Sequence, residues 1–255
     1  MHAIRHLRLI LNLVLVLCLA ALAAPPVLAQ TQVEHNPGYD RPGIGFTPAV
    51  LQAGDFTLEQ GAPDWSRADG ASTYNADTLL RLGLGHSLEV QLGTGWNWTN
   101  GSGHFPDGRS DTSLTMKFAP ASDGNFSWGL LGSVEFTDGS RAYRSSQQQY
   151  LLGASFNWQR SADRSIGLYA ELMHGDADSR LLAVNEGWAL TPTLGMYVEL
   201  AGQHVEDAGY GSLGGAGLTW QVTPRVQLDI SARHRLTGHA DTWQGGLGFA
   251  VYFGS

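Results

Sequence analysis

Apolar and polar residues alternate with a period of two along most of the chain. One clear segment carries Leu88, Val90 and Leu92 on one face. Its other face carries Glu89 and Gln91. Successive side chains of a β-strand point to opposite faces, so this pattern predicts a strand with one apolar and one polar side. Five further clear segments are 126–136, 166–172, 194–200, 226–232 and 243–253. Six weaker segments lie near 54–65, 73–84, 111–119, 148–158, 181–190 and 212–222.

These twelve segments predict an all-β chain, a transmembrane antiparallel up-and-down β-barrel of about twelve strands. An even strand number is the rule for bacterial outer-membrane barrels. The segments between strands alternate in length. Short connections fall at 85–86, 119–124, 159–164, 191–193 and 223–225, and longer ones at 99–110, 137–147, 174–180, 204–211 and 235–241. Short periplasmic turns and long external loops produce this parity when both chain ends are periplasmic.

The N-terminus has the composition of an export signal. A basic stretch at 2–8 precedes the apolar run 9–22, and Val27-Leu28-Ala29 fits a small-residue cleavage site. We therefore expect a cleaved signal peptide at 1–29. Residues 30–53 are expected to form a periplasmic segment, and residues 54–253 the barrel. Whether segment 30–53 enters the lumen is left open by the sequence.

Aromatic residues support a bacterial outer-membrane location, with lipid as the partner of the outer wall. The eight tryptophans map to two rims, where amphipathic rings favour the headgroup region. The external rim receives Trp65, Trp96, Trp98 and Trp243, and the periplasmic rim receives Trp128, Trp158, Trp188 and Trp220. Phe253, near the C-terminus, is the kind of residue that the barrel-assembly machinery reads. Glu186 shares the lipid-facing side of its strand, and either a bulge near Asn185 turns it inward or it faces lipid.

The inward face of the predicted barrel is polar and acidic. Seven acids and three bases line it, and we take these as candidate binding residues: Glu59, Asp77, Arg81, Glu89, Lys117, Glu135, Glu171, Glu199, Asp229 and Arg233. Such a lining suits water and small polar or cationic solutes. In the alternative interpretation, the charged groups pair with one another and plug the lumen, because twelve strands enclose only modestly more space than side chains can fill.

Composition narrows the function further. The net charge is −8, and it becomes −10 without Arg5 and Arg8 of the predicted signal peptide, so nucleic acid is not an expected partner. The single cysteine, Cys18, lies in the same signal segment. No metal site or cofactor is predicted, and the external-loop histidines are expected to be solvated. We expect no enzyme activity, since no predicted strand carries the His-x-Ser spacing that a barrel hydrolase would need on one strand face.

One stretch of the chain resembles a known family. Asp40-Arg41-Pro42-Gly43, Leu58-Glu59-Gln60-Gly61 and Leu79-Leu80-Arg81-Leu82-Gly83-Leu84 are similar to the opening of the family called the MetA-pathway of phenol degradation. The segments 88–93 and 111–117 extend the resemblance, which is clearest over residues 40–120. It implies an outer-membrane transporter with Arg81 and Lys117 as lumen positions. It carries no catalytic motif, and the few apolar groups in the predicted lumen do not favour phenol as the solute.

The leading prediction is therefore passive or gated passage of small solutes through a barrel. A non-transporting structural or adhesive barrel that acts through its external loops is the second interpretation. An outer-membrane hydrolase is the third.

Overall fold

Strands make up nearly all of the ordered secondary structure. The computed structural model describes residues 36–68, 70–100, 107–122 and 124–254, so the predicted signal peptide lies outside the described residues. The strands are β1 Phe56–Ala68, β2 Ala71–Gly85, β3 Leu88–Asn100, β4 Gly108–Arg109, β5 Ser113–Phe118, β6 Phe126–Glu135, β7 Gln149–Ser161, β8 Arg164–His174, β9 Ser179–Ala189, β10 Leu194–Val205, β11 Gly209–Thr223, β12 Val226–Gly238 and β13 Trp243–Phe253. Within these described ranges there is no helix long and apolar enough to cross a membrane.

The strands close into an antiparallel barrel. Each barrel strand pairs with its neighbour in sequence, and β1 pairs with β13 from Phe56↔Phe253 to Arg67↔Trp243. The two-residue β4 and the strand β5 both pair with β3, so together they form one wall position. The predicted twelve-stranded up-and-down barrel is therefore confirmed. For the described strands, closure pairs the two edges of the sheet with each other, as backbone amides at a lipid surface require.

The two faces of the wall differ as the alternation predicts. Leu130 and Ile230 point outward, with 46% and 53% of their surface exposed. Glu89 and Lys117 point inward and are fully buried. A soluble protein would bury such a belt of leucines, and here only lipid can cover it. We call the end where β1 begins and β13 ends the periplasmic end, and the opposite end the external end.

Several strands extend further than the sequence predicted. The strands β8 and β10 end at His174 and Val205, and β11 begins at Gly209, so the predicted loops 174–180 and 204–211 shrink to short turns. The same holds for 235–241, because β12 continues to Gly238. Beyond the apolar belt, outward side chains contact water, so apolar and polar residues need not alternate there. The hydrogen bonds between the strand backbones nevertheless continue. The parity of long and short connections is therefore weaker than predicted.

Glu186 keeps its outward position. Strand β9 pairs with both neighbours without a register shift, so there is no bulge near Asn185. Glu186 instead forms an ion pair with Arg164 on the neighbouring strand, at the periplasmic rim. A paired carboxylate near the headgroup region costs much less than an unpaired one in the hydrocarbon.

A bulge changes the face of one acidic residue. The register of β1 shifts between Gly61 and Asp64, on both sides of the strand. The extra residues turn Asp64 to the lumen and Trp65 outward, where its ring lies over Gly245. Bulges commonly re-aim a side chain in this way. Asp64 therefore joins the inward acids, although simple alternation from Glu59 would place it on the lipid side.

Candidate functional site: the lumen and the segment inside it

The N-terminal segment enters the barrel. Residues 36–53, which we call the lumen segment, contact strands around the whole wall. Asp40 contacts Lys117 of β5, Arg41 contacts Asp229 of β12, and the amide of Ile44 donates to Glu199 of β10 at 2.9 Å. The hydroxyl of Ser155 on β7 donates to the carbonyl of Phe46 at 2.7 Å. These contacts answer the question that the sequence left open for this part of the chain.

A buried ion-pair cluster holds the first part of the lumen segment. Arg81 donates from Nε to Glu89 and from Nη1 to Glu59, both at 2.8 Å. Lys117 lies 3.0 Å from Asp40, and Arg81 lies 3.5 Å from the same carboxylate. We call these five residues the Arg81 cluster. Arg81, Lys117 and Glu89 have no solvent-exposed surface.

Backbone amides of the lumen segment complete the cluster. The amides of Asp40 and Arg41 donate to Glu59, and the amide of Leu51 donates to Glu89. Three carboxylates thus share two cations and three amide donors, so each buried charge has partners. Burial alone would raise the pKa of Asp40, but Arg81 and Lys117 outweigh it and lower that pKa below its ordinary value of 3.8. Asp40 therefore stays ionised at neutral pH.

Arg41 forms a second attachment point across the lumen. Its Nη1 donates to Asp64 at 2.7 Å, and its Nη2 lies 3.2 Å from Asp229. Burial would lower the pKa of Arg41, but the two carboxylates raise it instead. The guanidinium passes close to Gly248, where an added Cβ would lie 2.4 Å from Nη2. Glycine at this position leaves the space that Arg41 occupies.

The last part of the lumen segment is held by polar and apolar contacts. Arg233 bonds Glu199 at 2.6 Å and donates to the carbonyl of Pro42 at 2.8 Å. Phe46 packs edge-to-face on Tyr169, with ring centroids 5.8 Å apart. Ala183, Ala201, Ile44, Leu131 and Leu181 surround these rings. The expectation of few apolar groups in the lumen was wrong on this side, because Leu131 and Leu181 occupy inward positions that serve the segment.

Open space remains on both sides of the lumen segment. Towards the periplasm, a cavity of about 1120 Å³ is bounded by the segment and by the turns and strand ends of the wall. Towards the outside, two cavities of about 490 and 300 Å³ lie between the segment and the external strand ends. Asp40 and Arg41 line cavities on both sides. The segment therefore divides the lumen near the level of these two residues.

The larger external cavity, which we call the external chamber, is acidic. Asp77, Asp111 and Glu135 line it, and none of the three has an ion pair with a described residue. Asp111 accepts the amides of Gly139 and Ser145 at 2.7 and 2.6 Å. These amides belong to the loop 136–148, which folds inward at the mouth. Tyr143 of this loop lies 3.2 Å from the hydroxyl of Thr99 on the inward face of β3.

The ten predicted site residues thus fall into distinct environments. Glu59, Arg81, Glu89 and Lys117 are in the Arg81 cluster, so they lie in a packed network and not on an open path. Glu199, Asp229 and Arg233 hold the rest of the segment. Glu171 receives a hydrogen bond of 2.5 Å from Tyr169. Asp77 and Glu135 line the external chamber without an ion pair to a described residue, and Glu59 reaches the same chamber from the cluster.

Sequence reasoning missed four charged residues of the lumen: Asp40, Arg41, Asp64 and Asp111. Two signals could have found some of them. Pro63 cannot donate to a strand ladder, and a proline within a strand marks an edge or a bulge, which would have turned Asp64 inward. Asp40 and Arg41 are charged residues in a segment with no strand pattern. The predicted lumen also has four more acids than bases, which is a signal that some of its acids pair with a base from elsewhere in the chain. No local pattern distinguishes Asp111 from a loop residue.

Comparison with known proteins gives the same fold. No family model and no curated protein match the chain in sequence. The COG4313 outer membrane channel from Pseudomonas putida F1 superposes with a TM-score of 0.66 over 80% of this chain and 97% of that chain, at 13% identity. The KdgM porin in complex with disordered oligogalacturonate gives 0.56 over 78% and 99%, at 13% identity. The NanC porin gives 0.55 over 78% and 100%, at 9% identity. This chain therefore has the fold of bacterial outer-membrane channels and porins.

Proposed function

We propose that this protein is an outer-membrane channel for small polar solutes, and that the lumen segment controls passage. The observation that carries the proposal is the space inside the wall. Side chains do not fill the barrel, and cavities reach the lumen segment from both sides. A purely structural barrel has no need of open space on both sides of a strap of its own chain. The channel and porin folds of similar structures support the same function.

The charges of the external chamber favour cations and neutral hydroxyl-bearing solutes. Asp77, Asp111 and Glu135 present carboxylates there without a paired cation among the described residues. One similar structure is a porin in complex with oligogalacturonate, a polymer that bears a carboxylate on each sugar. Repulsion by the acids would oppose such a polyanion here. We therefore propose that the present channel differs in solute charge while sharing the barrel.

Membership of the MetA-pathway of phenol degradation family remains a hypothesis. The resemblance over residues 40–120 includes Asp40, Glu59, Arg81 and Lys117, which are among the residues that join the lumen segment to the wall. If the family shares these residues because it shares an inserted N-terminus, replacing them should loosen the segment. The solute does not follow from this resemblance.

Conductance across a planar bilayer tests the proposed function. Gly248→Ala adds one methyl group where Arg41 lies and changes no charge. The methyl group should displace Arg41 from Asp229, loosen the segment and raise the single-channel conductance several-fold. Folded wild-type protein that never exceeds the bilayer baseline, together with an equally silent Gly248→Ala variant, would rule out a channel.

Gly43→Ala is the matched control. It makes the same change within the lumen segment, but an added Cβ there meets no atom within 4 Å. Its conductance should equal that of the wild type. If both variants open the channel equally, the effect comes from the flexibility of the segment and not from the attachment of Arg41.

A further inference from the structure

The cavity on the periplasmic side of the lumen segment, which we call the periplasmic chamber, has a polar wall without charged pairs to offer. Its volume is about 1120 Å³, and no acid, lysine or arginine is among the described wall residues that line it. Asp40 and Arg41 of the lumen segment line its inner end, but they are already paired with Lys117 and with Asp64. The wall presents amides and hydroxyls instead, unlike the acidic external chamber.

Two asparagines lie at one level of this wall. Asn157 of β7 and Asn185 of β9 are both cross-strand neighbours of Gly167 on β8. Ser127 of β6 is the next neighbour of Asn157 at the same level. The three polar side chains point into the chamber and form no hydrogen bond with a described residue. Their two amides and one hydroxyl therefore keep their full donor and acceptor capacity for a ligand or for water.

Gly167 leaves the space that the side chain of Asn185 occupies. An added Cβ on Gly167 would lie 2.6 Å from Oδ1 and 2.7 Å from Nδ2 of Asn185. The amide of Asn185 therefore lies over the glycine, on the side of Asn157, and no side chain separates the two amides. The strands that carry them are two strand spacings apart, about 10 Å, so one small ring can reach both amides at once.

The next level towards the membrane centre has no comparable free groups. The hydroxyl of Ser155 donates to a carbonyl of the lumen segment, and the hydroxyl of Tyr169 donates to Glu171. These groups hold the segment or one another. The free hydrogen-bonding groups of this side of the wall are therefore found at the level of Asn157 and Asn185, where the chamber is open.

The chemistry of these groups selects among solutes. A charged solute would lose part of its hydration here and find no unpaired countercharge. An apolar ring would cover the two amides and leave them without partners, which is costly. A sugar hydroxyl both donates and accepts, so neighbouring hydroxyls of one ring can pair with the oxygen and the nitrogen of an amide.

We propose that the periplasmic chamber binds an uncharged saccharide through Asn157 and Asn185. Ser127 supplies a third polar contact beside Asn157. The proposal rests on the proposed channel for the route of the sugar through the barrel, whereas binding itself needs only the opening of the chamber to the periplasm. It narrows the solutes of that channel to neutral sugars, which the acids of the external chamber would not repel.

Saturation-transfer difference NMR of the full barrel tests the proposal with glucose, in a detergent without a sugar headgroup such as lauryldimethylamine oxide. The wild type should bind glucose, and should bind glucuronate and protonated glucosamine roughly tenfold more weakly because each carries a charge. Asn157→Leu and Asn185→Leu nearly keep the side-chain volume and remove the hydrogen-bonding groups. Each should weaken glucose binding about three- to tenfold. Gly167→Ala should act in the same direction, since its methyl group displaces the amide of Asn185.

Asn100→Leu is the matched control, because Asn100 is exposed at the external end of β3. It should bind glucose as the wild type does, and circular dichroism verifies that each variant is folded. Equal binding of glucose and glucuronate by the wild type, or unchanged glucose binding in Asn157→Leu and Asn185→Leu, would overturn the proposal. Tighter binding of N-acetylalanine methylamide than of glucose would also overturn it, and would assign the chamber to peptide groups.

Conductance separates this site from the proposed channel. Sugar binding is measured at equilibrium in detergent, so it does not depend on ion flow. A barrel that conducts ions but does not bind glucose would overturn the site and leave the channel. A barrel that binds glucose but stays at the bilayer baseline would support the site and remove the channel.

Discussion

Arg81 illustrates how a lumen residue can be structural. It lies between Glu59 and Glu89 with no exposed surface, and it also donates to the carbonyl of Gly38 in the lumen segment. The sequence grouped it with solute-contacting residues because it alternates inward. Its burial shows that it instead neutralises two wall carboxylates. A charge in such a position matters most through what its loss leaves behind, since an unpaired buried charge is costly.

Replacing Arg81 by glutamine should therefore destabilise the barrel strongly. Glu59 and Glu89 would be left buried without their cation, and removal of one partner of a buried pair costs about 3–5 kcal/mol. Chemical unfolding of the detergent-solubilised barrel measures the free energy. Arg109→Gln is the comparison, because its pair with Asp138 is 38% and 48% exposed and should contribute only about 0–1 kcal/mol. Equal effects of the two substitutions would contradict the proposed role of the cluster.

At the scale of the element, the lumen segment is a strap without strand or helix that depends on the wall. Its hydrogen bonds go to Glu59, Glu89, Glu199 and Ser155, and few are within the segment itself. An irregular backbone is tolerated at membrane depth only where protein or a water-filled cavity surrounds it. The lumen segment can therefore move only when water replaces these hydrogen-bond partners on the wall. Its detachment from the wall should depend on the charge of those partners.

The charge of Asp40 sets one condition for that release. Its folded-state pKa is lowered below 3.8, so its ion pairs with Lys117 and Arg81 are fully present above that pH and are lost as the pH falls through the lowered pKa. The rise in conductance that depends on Asp40 should therefore appear only below about pH 4. The measurement is best made in about 1 M salt, which screens the chamber charges.

Asp40→Asn supplies the control for this pH profile. The amide cannot ionise, so the variant should show the raised conductance already at neutral pH and little further rise in acid. A wild-type transition near pH 6 would instead assign the control of the segment to another group.

At the scale of the whole molecule, the barrel has three chemically distinct surfaces. The outer wall is apolar and meets lipid, the middle of the lumen is packed with ion pairs around the lumen segment, and the external chamber holds acids that have no ion pair with a described residue. Ion selectivity should follow the last of these, because ion pairs neutralise the charges around the lumen segment, whereas Asp77, Asp111 and Glu135 have no ion pair with a described residue. Arg81 and Lys117, which were candidate binding residues, lie in the buried cluster and should contribute little to selectivity.

Neutralising the external chamber should therefore reduce cation preference. Asp77→Asn combined with Glu135→Gln removes two of the three chamber carboxylates that have no ion pair with a described residue. The reversal potential under a salt gradient should shift towards non-selective conduction, and the shift should shrink at high salt as screening increases. Asp207→Asn, in an exposed external turn, should leave the potential unchanged. A shift of equal size in that control would place selectivity at the surface of the mouth.

The sequence by itself determined the wall. The face that a strand turns to lipid depends on the local pleat and on the type of each residue. Alternation of the kind seen around Leu130, Ile230 and Glu89 was therefore sufficient to predict twelve strands and an inward polar face. It also predicted the inward direction of all ten candidate residues. Where a bulge interrupts the pleat, as before Asp64, this local rule fails.

Only the tertiary structure decided what the inward residues do. Asp40 meets Lys117 at a sequence separation of 77 residues, and Arg41 meets Asp229 at a separation of 188. Such partners come together only when the sheet closes and the N-terminal segment folds back inside it. Closure also determines which acids are neutralised and which are left open, because a charge is satisfied by its neighbours in space and not by its neighbours in the chain.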